Sequence, residues 1–159
     1  MMMSPVVSDS SPLIAFALID QFPVLRALFP VLWIPDAVYE EVVLASGSVT
    51  NPGAGPVEEA VHSGWMQRLT VHDQDAVQRQ MGRLHRGKVE VVLGALEYRM
   101  PAVLLDDRYA RRLAATYGLE CTGTVGLLLL AKRRGMIDAV RPLLTHLRRE
   151  GFRMSASLY

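Results

Sequence analysis

The segment Val6-Val7-Ser8-Asp9-Ser10-Ser11-Pro12 decides how the rest of the chain is read. Two β-branched apolar residues run into an acid, two hydroxyls and a proline, and proline is tolerated in the first turn of a helix because its missing N–H has no partner there anyway. The stretch reads as a short buried strand, a tight turn and a helix start. Asp9 then stands at the carboxyl end of the strand, the edge at which open α/β sheets bind ligands and metals. The question for the remaining sequence is which other acids reach that edge.

The same strand-to-helix pattern recurs along the chain. A helix is expected over 10–19, with Ser10 as its N-cap and Leu13, Phe16 and Ala17 on one side, and a second over 22–29, stopped by Pro30. An apolar run of strand length follows at 31–34, and Pro35-Asp36 opens a helix to about residue 45. In that helix Val38, Glu41, Val42 and Ala45 fall at i, i+3, i+4 and i+7, so Glu41 is expected on the stripe facing the core and Glu40 roughly 100° away. An acid on such a stripe loses hydration unless something positive answers it. Residues 47–56 read as the one clear loop, 57–62 as a short helix, 65–71 as a strand and 73–84 as a polar amphipathic helix.

Gly87 precedes a strong helical pattern to about residue 99, with Lys88, Val91, Val92 and Ala95 on one stripe. After Pro101, the run 102–105 reads as a buried strand that delivers Asp106 and Asp107 to its carboxyl end, where either can cap the helix expected over 108–117. A further short strand at 119–122 turns through Gly123-Thr124 into a helix over 125–134; a last helix is expected over 139–150, and the weakly alternating tail 152–159 as a docked edge strand. Helices alternating with short apolar strands imply an α/β fold with a mainly parallel sheet covered on both faces.

Composition narrows the class. At 159 residues, half of them apolar and a fifth charged, the chain has the size and make-up of one globular domain over 1–159 rather than a disordered segment. No apolar run, 125–131 included, approaches the ~20 residues of a spanning helix, so no membrane partner is expected. Met1-Met2-Met3-Ser4 lacks the basic start of a secretory signal, which points to the cytoplasm. The single cysteine, Cys121, rules out an internal disulfide.

Residues 1–82 hold three basic and nine acidic side chains, and 83–159 hold fourteen and seven, so the halves carry −6 and +7. Fifteen of the seventeen basic residues are arginine, whose planar fork suits phosphate. An acidic pocket beside a basic surface suits a polyanion held over a metal; a merely solvated basic surface is the plainer account. The four histidines show no metal-ligand spacing, and no glycine-rich phosphate loop is present.

Asp9, Glu41 and Asp106 are therefore expected to converge. Carboxylates that meet without a buried base are best answered by a hard divalent cation, and Mg²⁺ or Mn²⁺ so held can activate water and stabilise a phosphoryl transition state. Taken singly, each acid has a plainer role: Asp106 or Asp107 as a helix cap, Glu41 as a surface acid, Asp9 as a turn residue.

Four segments together resemble a known family: Val-Val-Ser-Asp-Ser-Ser-Pro-Leu-Ile at 6–14, Ile-Pro-Asp-Ala-Val-Tyr-Glu-Glu-Val at 34–42, Leu-Leu-Asp-Asp-Arg-Tyr-Ala-Arg-Arg-Leu-Ala at 104–114 and Thr-Gly-Thr-Val-Gly-Leu-Leu-Leu-Leu-Ala-Lys at 122–132. They look like the PIN-domain proteins, and more narrowly like the branch similar to VapC toxins of bacterial toxin-antitoxin pairs. The resemblance implies a three-layer α/β/α nuclease whose acids bind Mg²⁺ or Mn²⁺ and hydrolyse single-stranded RNA, with a small cognate antitoxin as partner. Carried onto this chain, the acids are Asp9, Glu41 (Glu40 the weaker alternative) and Asp106, with Asp107 as helper or cap and Ser10, Thr122 and Thr124 as nearby hydroxyls.

One position departs from that pattern. Members of this branch usually carry Gly-Glu at the start of the long helix, and here the pair is Gly87-Lys88. Lys88 puts a cation at a helix N-terminus, against the dipole, and heads the stripe that faces the sheet, whereas Glu90 is rotated roughly 200° away. An ammonium among Asp9, Glu41 and Asp106 would stand where a metal would, so metal binding is expected to be weakened or lost.

Arg108 and Arg112, one turn apart after the strand-end acids, are candidates for contact with RNA phosphates or a partner's acidic tail. The apolar stretches 12–19 and 143–147 are candidates for a homodimer face or for a larger complex with the antitoxin, and core packing accounts for them equally. The leading expectation is a metal-dependent ribonuclease acting as a toxin; the alternative is a catalytically inactive module that binds RNA or protein.

Overall fold

A computed structural model describes residues 4–45 and 51–152. Five parallel strands, β1 (Val6–Ser8), β2 (Leu32–Pro35), β3 (Met66–Leu69), β4 (Ala102–Leu104) and β5 (Glu120–Thr122), form one sheet in the order β3-β2-β1-β4-β5. The fold is α/β, as the alternating pattern implies, and the sheet is parallel throughout.

The chain winds outward from β1 to β2 and β3, then returns to the other side of β1 at β4. The strand order thus reverses between β1 and β4, whose registers pair Val6 with Ala102 and Ser8 with Leu104. The carboxyl ends of these two central strands border the crevice that such a reversal opens. Asp9 and Asp106 lie just beyond them.

Helices cover both faces. α1 (Ser10–Leu18), α2 (Phe22–Leu28) and α8 (Thr124–Arg133) pack on one another, and α6 (Arg86–Glu97) packs with α5 (Gln74–Gln80) and α7 (Arg108–Thr116). The remaining helices are α3 (Asp36–Tyr39), α4 (Ala54–Ser63) and α9 (Arg141–Arg149). Strands buried on both faces read as continuous apolar runs, and Val6, Val7, Leu32, Ile34, Val103 and Leu104 are accordingly buried. On α6 the expected stripe holds: Val91, Val92 and Ala95 are fully buried.

Several local expectations are corrected. Asp9, not Ser10, is the N-cap residue of α1; its backbone is extended (φ −77°, ψ 170°) and its side chain caps nothing. α3 does not run on as a regular helix to residue 45 but widens into a π-helical segment, Glu40–Leu44, in which the Ala45 N–H donates to the Glu40 carbonyl at 2.7 Å. The extra residue in that turn rotates the face, so Val38 and Val42 stay buried while Glu41 and Ala45 come out to solvent.

α4 takes Ala54-Gly55-Pro56 from the supposed loop as its first turn, where proline lacks only an N–H that would have no helical partner; residues 47–50 of that loop lie outside the described residues. α5 ends at Gln80 rather than 84, because Met81 is extended and Gly82 has φ 152°. The expected edge strand at 152–159 falls almost wholly outside the described residues. Of the apolar positions offered as a dimer face, Leu13, Phe16, Ile19, Leu144 and Leu147 are buried in the core, and Ile14, Leu18 and Leu143 are half-buried.

Candidate functional site

Asp9 is completely buried. Its backbone N–H continues the β1–β4 ladder by donating to the Leu104 carbonyl at 3.0 Å, which drives the side chain into the crevice. Oδ2 accepts from the Lys88 ammonium at 3.1 Å. Oδ1, equally buried, has no hydrogen-bond partner. Burial raises the Asp9 carboxyl above the usual carboxylate range, outweighing the Lys88 charge and the Ser10 N–H that pull it down, and the charge of Asp106 adds to the rise.

Lys88 reaches Asp9 from the first turn of α6. Burial pulls its ammonium down, yet the charges of Asp9, Glu41 and Asp107 outweigh that and hold it above its ordinary value. Lys88 therefore stays protonated and faces three carboxylates. Glu90, two residues on, points elsewhere: Oε1 accepts from the Ala37 N–H at 3.3 Å and Oε2 lies 3.6 Å from Arg86.

Glu41 is exposed, but its carboxylate bends towards Asp9 over the bare Cα of Gly87. A methyl group on Gly87 would lie 3.2 Å from Glu41 Oε2 and 4.0 Å from Asp9 Oδ1. Glu40 is also exposed and makes no such approach among the described residues.

Asp106 is held differently. Oδ1 accepts the Thr124 N–H at 2.7 Å, and Oδ2 accepts the Thr124 hydroxyl at 2.7 Å and the Ser11 hydroxyl at 3.1 Å. Asp107 caps α7 by accepting the Ala110 N–H at 2.9 Å, so of the two roles expected for it the structure displays the cap.

The hydroxyl beside Asp106 on α1 belongs to Ser11, whereas Ser10 meets Asp9 through its backbone N–H. Thr122 takes part through its carbonyl, which accepts from the Leu105 N–H at 3.0 Å. Two residues with no site role expected from the sequence, Gly123 and Arg111, also border Asp106. A Cβ at Gly123 would lie 2.8 Å from Asp106 Oδ1 and 3.0 Å from Arg111 Nη1, so only glycine lets α8 start this close to the acid. Arg111 donates to the Leu105 carbonyl at 3.0 Å, while Arg108 and Arg112 are exposed.

These residues do not fit a divalent ion as they stand. One Asp9 oxygen is taken by an ammonium, both Asp106 oxygens already accept hydrogen bonds, and among the described residues no group of three or more His, Cys, Asp or Glu side chains is arranged to hold a metal. The one feature that invites a cation is the orphaned Asp9 Oδ1.

Comparison with known proteins identifies the family. Two probable potassium transport system proteins Kup, from Anaeromyxobacter dehalogenans (strain 2CP-C) and Anaeromyxobacter sp. (strain K), are each 28% identical over 112 residues, which is 70% of this chain and 16% of theirs. The chain thus spans about a sixth of the length of these curated relatives. No described helix is long and apolar enough to cross a membrane. A family model for the PIN domain, by contrast, matches residues 5–159, nearly the whole chain. The strand order, the acids at the ends of β1 and β4 and that match agree: the chain belongs to the PIN-domain family.

Proposed function

We propose that this PIN domain binds single-stranded RNA at the carboxyl edge of its sheet as an RNA-binding module, with Lys88 in the place of a divalent ion and metal-dependent hydrolysis blunted. PIN domains are generally nucleases and typically use Mg²⁺ or Mn²⁺, so a nuclease-type function is the coarse assignment. The observation that carries the finer reading is the 3.1 Å contact between Lys88 and the buried Asp9. An ammonium cancels part of the carboxylate charge and can donate to a phosphate oxygen. It offers no open coordination position and cannot generate hydroxide from a bound water near neutral pH, which is what a metal ion would supply.

Calorimetric titration with Mn²⁺ of the wild type and of Lys88→Glu, paired with RNA-binding and hydrolysis assays in Mg²⁺ and in chelator, tests this. The wild type is expected to bind RNA with or without chelator and Mn²⁺ only weakly, and Lys88→Glu to bind Mn²⁺ about tenfold more tightly or better. Equally tight Mn²⁺ binding by both proteins overturns the reading.

A second reading is favoured by one observation, the buried and unpartnered Asp9 Oδ1. In it the chain is a cytoplasmic Mg²⁺- or Mn²⁺-dependent ribonuclease, one domain over 1–159, with Asp9, Glu41 and Asp106 around the ion. It would be the toxin of a toxin-antitoxin pair, held by a small cognate antitoxin in a homodimer or larger complex. RNA hydrolysis by the wild type that stops on chelation, with a short open reading frame adjacent to its gene, is the outcome this reading requires.

A further inference from the structure

Tyr109 lies on the second residue of α7, two positions after Asp107, and is 37% exposed. Two guanidinium groups sit over its ring: Arg108 at 5.5 Å from the centroid and Arg83 at 5.1 Å. Arg83 comes from the turn between α5 and α6, five residues before Lys88. The stack therefore joins the two segments that carry Asp106 and Lys88 to the acidic edge.

Among the described residues neither Arg83 nor Arg108 is paired with a carboxylate, and both are exposed. Two like charges gathered on one ring with no acid between them repel each other. The two exposed cation–π contacts offset that repulsion and leave both charges unneutralised. A polyanion neutralises them. Exposed arginines resting on an exposed ring can swing to phosphates and yield the ring face to an unpaired base between them.

We infer that Arg83, Tyr109 and Arg108 form a nucleotide-binding platform at the rim of the acidic edge, on which one base of a single-stranded RNA stacks while the two guanidinium groups engage the flanking phosphates. This rests on the proposed binding of RNA at that edge, and names where on the surface the strand is held. A tyrosine side chain has no sequence-specific reach over the base face, so the platform selects single strands over duplexes rather than one base over another.

The test is fluorescence anisotropy with a labelled twelve-nucleotide RNA of mixed sequence, in chelator, over a range of salt. Tyr109→Leu is expected to weaken binding about tenfold and Tyr109→Trp to keep it. The double variant Arg83→Gln, Arg108→Gln is expected to flatten the slope of log K against log salt by about 1.4, roughly 0.7 for each phosphate that is no longer neutralised. Wild-type binding with an unchanged Tyr109→Leu affinity and an unchanged salt slope overturns the platform and leaves RNA binding standing. No binding by the wild type overturns both. A labelled oligoglutamate peptide forms a parallel arm: Tyr109→Leu weakening the peptide but not the RNA makes the surface a protein-docking site and overturns the inference. If Tyr109→Leu melts early, the salt slope of the double variant decides alone, since both arginines lie on the surface.

Discussion

Asp9 and Asp106 occupy equivalent places, each just past the end of a central strand, and the protein treats them in opposite ways. Asp106 is only half-buried, yet its two oxygens accept three hydrogen bonds, from the Thr124 backbone and hydroxyl and from Ser11. Asp9 is fully buried, with the Lys88 ammonium on Oδ2, the adjacent Ser10 N–H as a further pull on the carboxylate, and no hydrogen-bond partner on Oδ1. Stability alone would match donors to burial, because a buried charge short of partners is costly. The inverse arrangement supports the proposal that Asp9 is kept for function, whereas Asp106 also ties α8 to the sheet edge.

The comparison is broken most directly at Lys88. Lys88→Met leaves Asp9 buried with no counter-charge and is expected to cost about 3 kcal/mol, at the lower end for a buried pair because the lysine side chain is 21% exposed. The loss should depend on pH with a definite sign. The folded-state carboxyl of Asp9 titrates above its unfolded value of 3.8, so on acidification the folded chain takes up a proton first and the penalty shrinks as pH falls towards that value. Lys88 in the wild type titrates above its unfolded value of 10.5; its stabilisation is complete below that pH and is lost as pH rises through the higher folded value. Urea unfolding of both proteins at pH 5 and pH 8 checks this: a deficit larger at pH 5 than at pH 8 contradicts it.

Glycine substitutions sharpen the contrast next. Gly123→Ala places a methyl 2.8 Å from Asp106 Oδ1 and 3.3 Å from the Leu105 carbonyl, against a carboxylate pinned by three donors and a strand backbone. Something must move, and about 2 kcal/mol is expected, within the range for overpacking. Gly87→Ala meets at 3.2 Å only the far end of Glu41, an exposed and flexible side chain, and gains the helix propensity of alanine. It should be close to neutral. Thermal denaturation of the pair measures the difference, and equal destabilisation would remove the distinction between the two acids' surroundings. Thr124→Val, which deletes only the hydroxyl bond to Asp106 and keeps the backbone one, should cost about 1 kcal/mol in the same assay.

What could be read in the sequence is the part governed by short-range pattern. Apolar runs ending in acids placed Asp9 and Asp106 at strand ends, and helical spacing pointed Lys88 at the sheet edge, where it meets Asp9; Glu90 points away from Asp9 as that spacing requires, yet it is buried, against the Ala37 N–H. Glu41 was misplaced because a π-helical turn changes the step per residue without any glycine or proline to announce it. Ser11 was missed in favour of Ser10 because which of two adjacent hydroxyls faces Asp106 depends on where β4 lies, nearly a hundred residues along. The stack of Arg83 and Arg108 on Tyr109 joins segments that no periodicity connects.

A third carboxylate completes the comparison at the solvent end of the scale. Glu97, at the end of α6, is exposed; desolvation is the largest single influence and pushes its carboxyl up, but the N–H groups of His72 and Asp73 and the His72 ring together pull it further down. Its partners are as numerous as those of Asp106, yet water competes for each of them, so their net worth is about 0.5 kcal/mol. The sign is the reverse of that for Asp9. A carboxyl that titrates below its unfolded value of 4.5 contributes stability that is complete above that pH and lost as pH falls through the folded value. Glu97→Gln should therefore destabilise slightly at pH 7 and hardly at all near pH 3, by urea unfolding at both. A deficit as large as that of Thr124→Val, or one that persists in acid, would mean that the number of donors rather than their burial sets what a carboxylate contributes here, and would remove the reason for treating the sparsely partnered Asp9 as the functional acid.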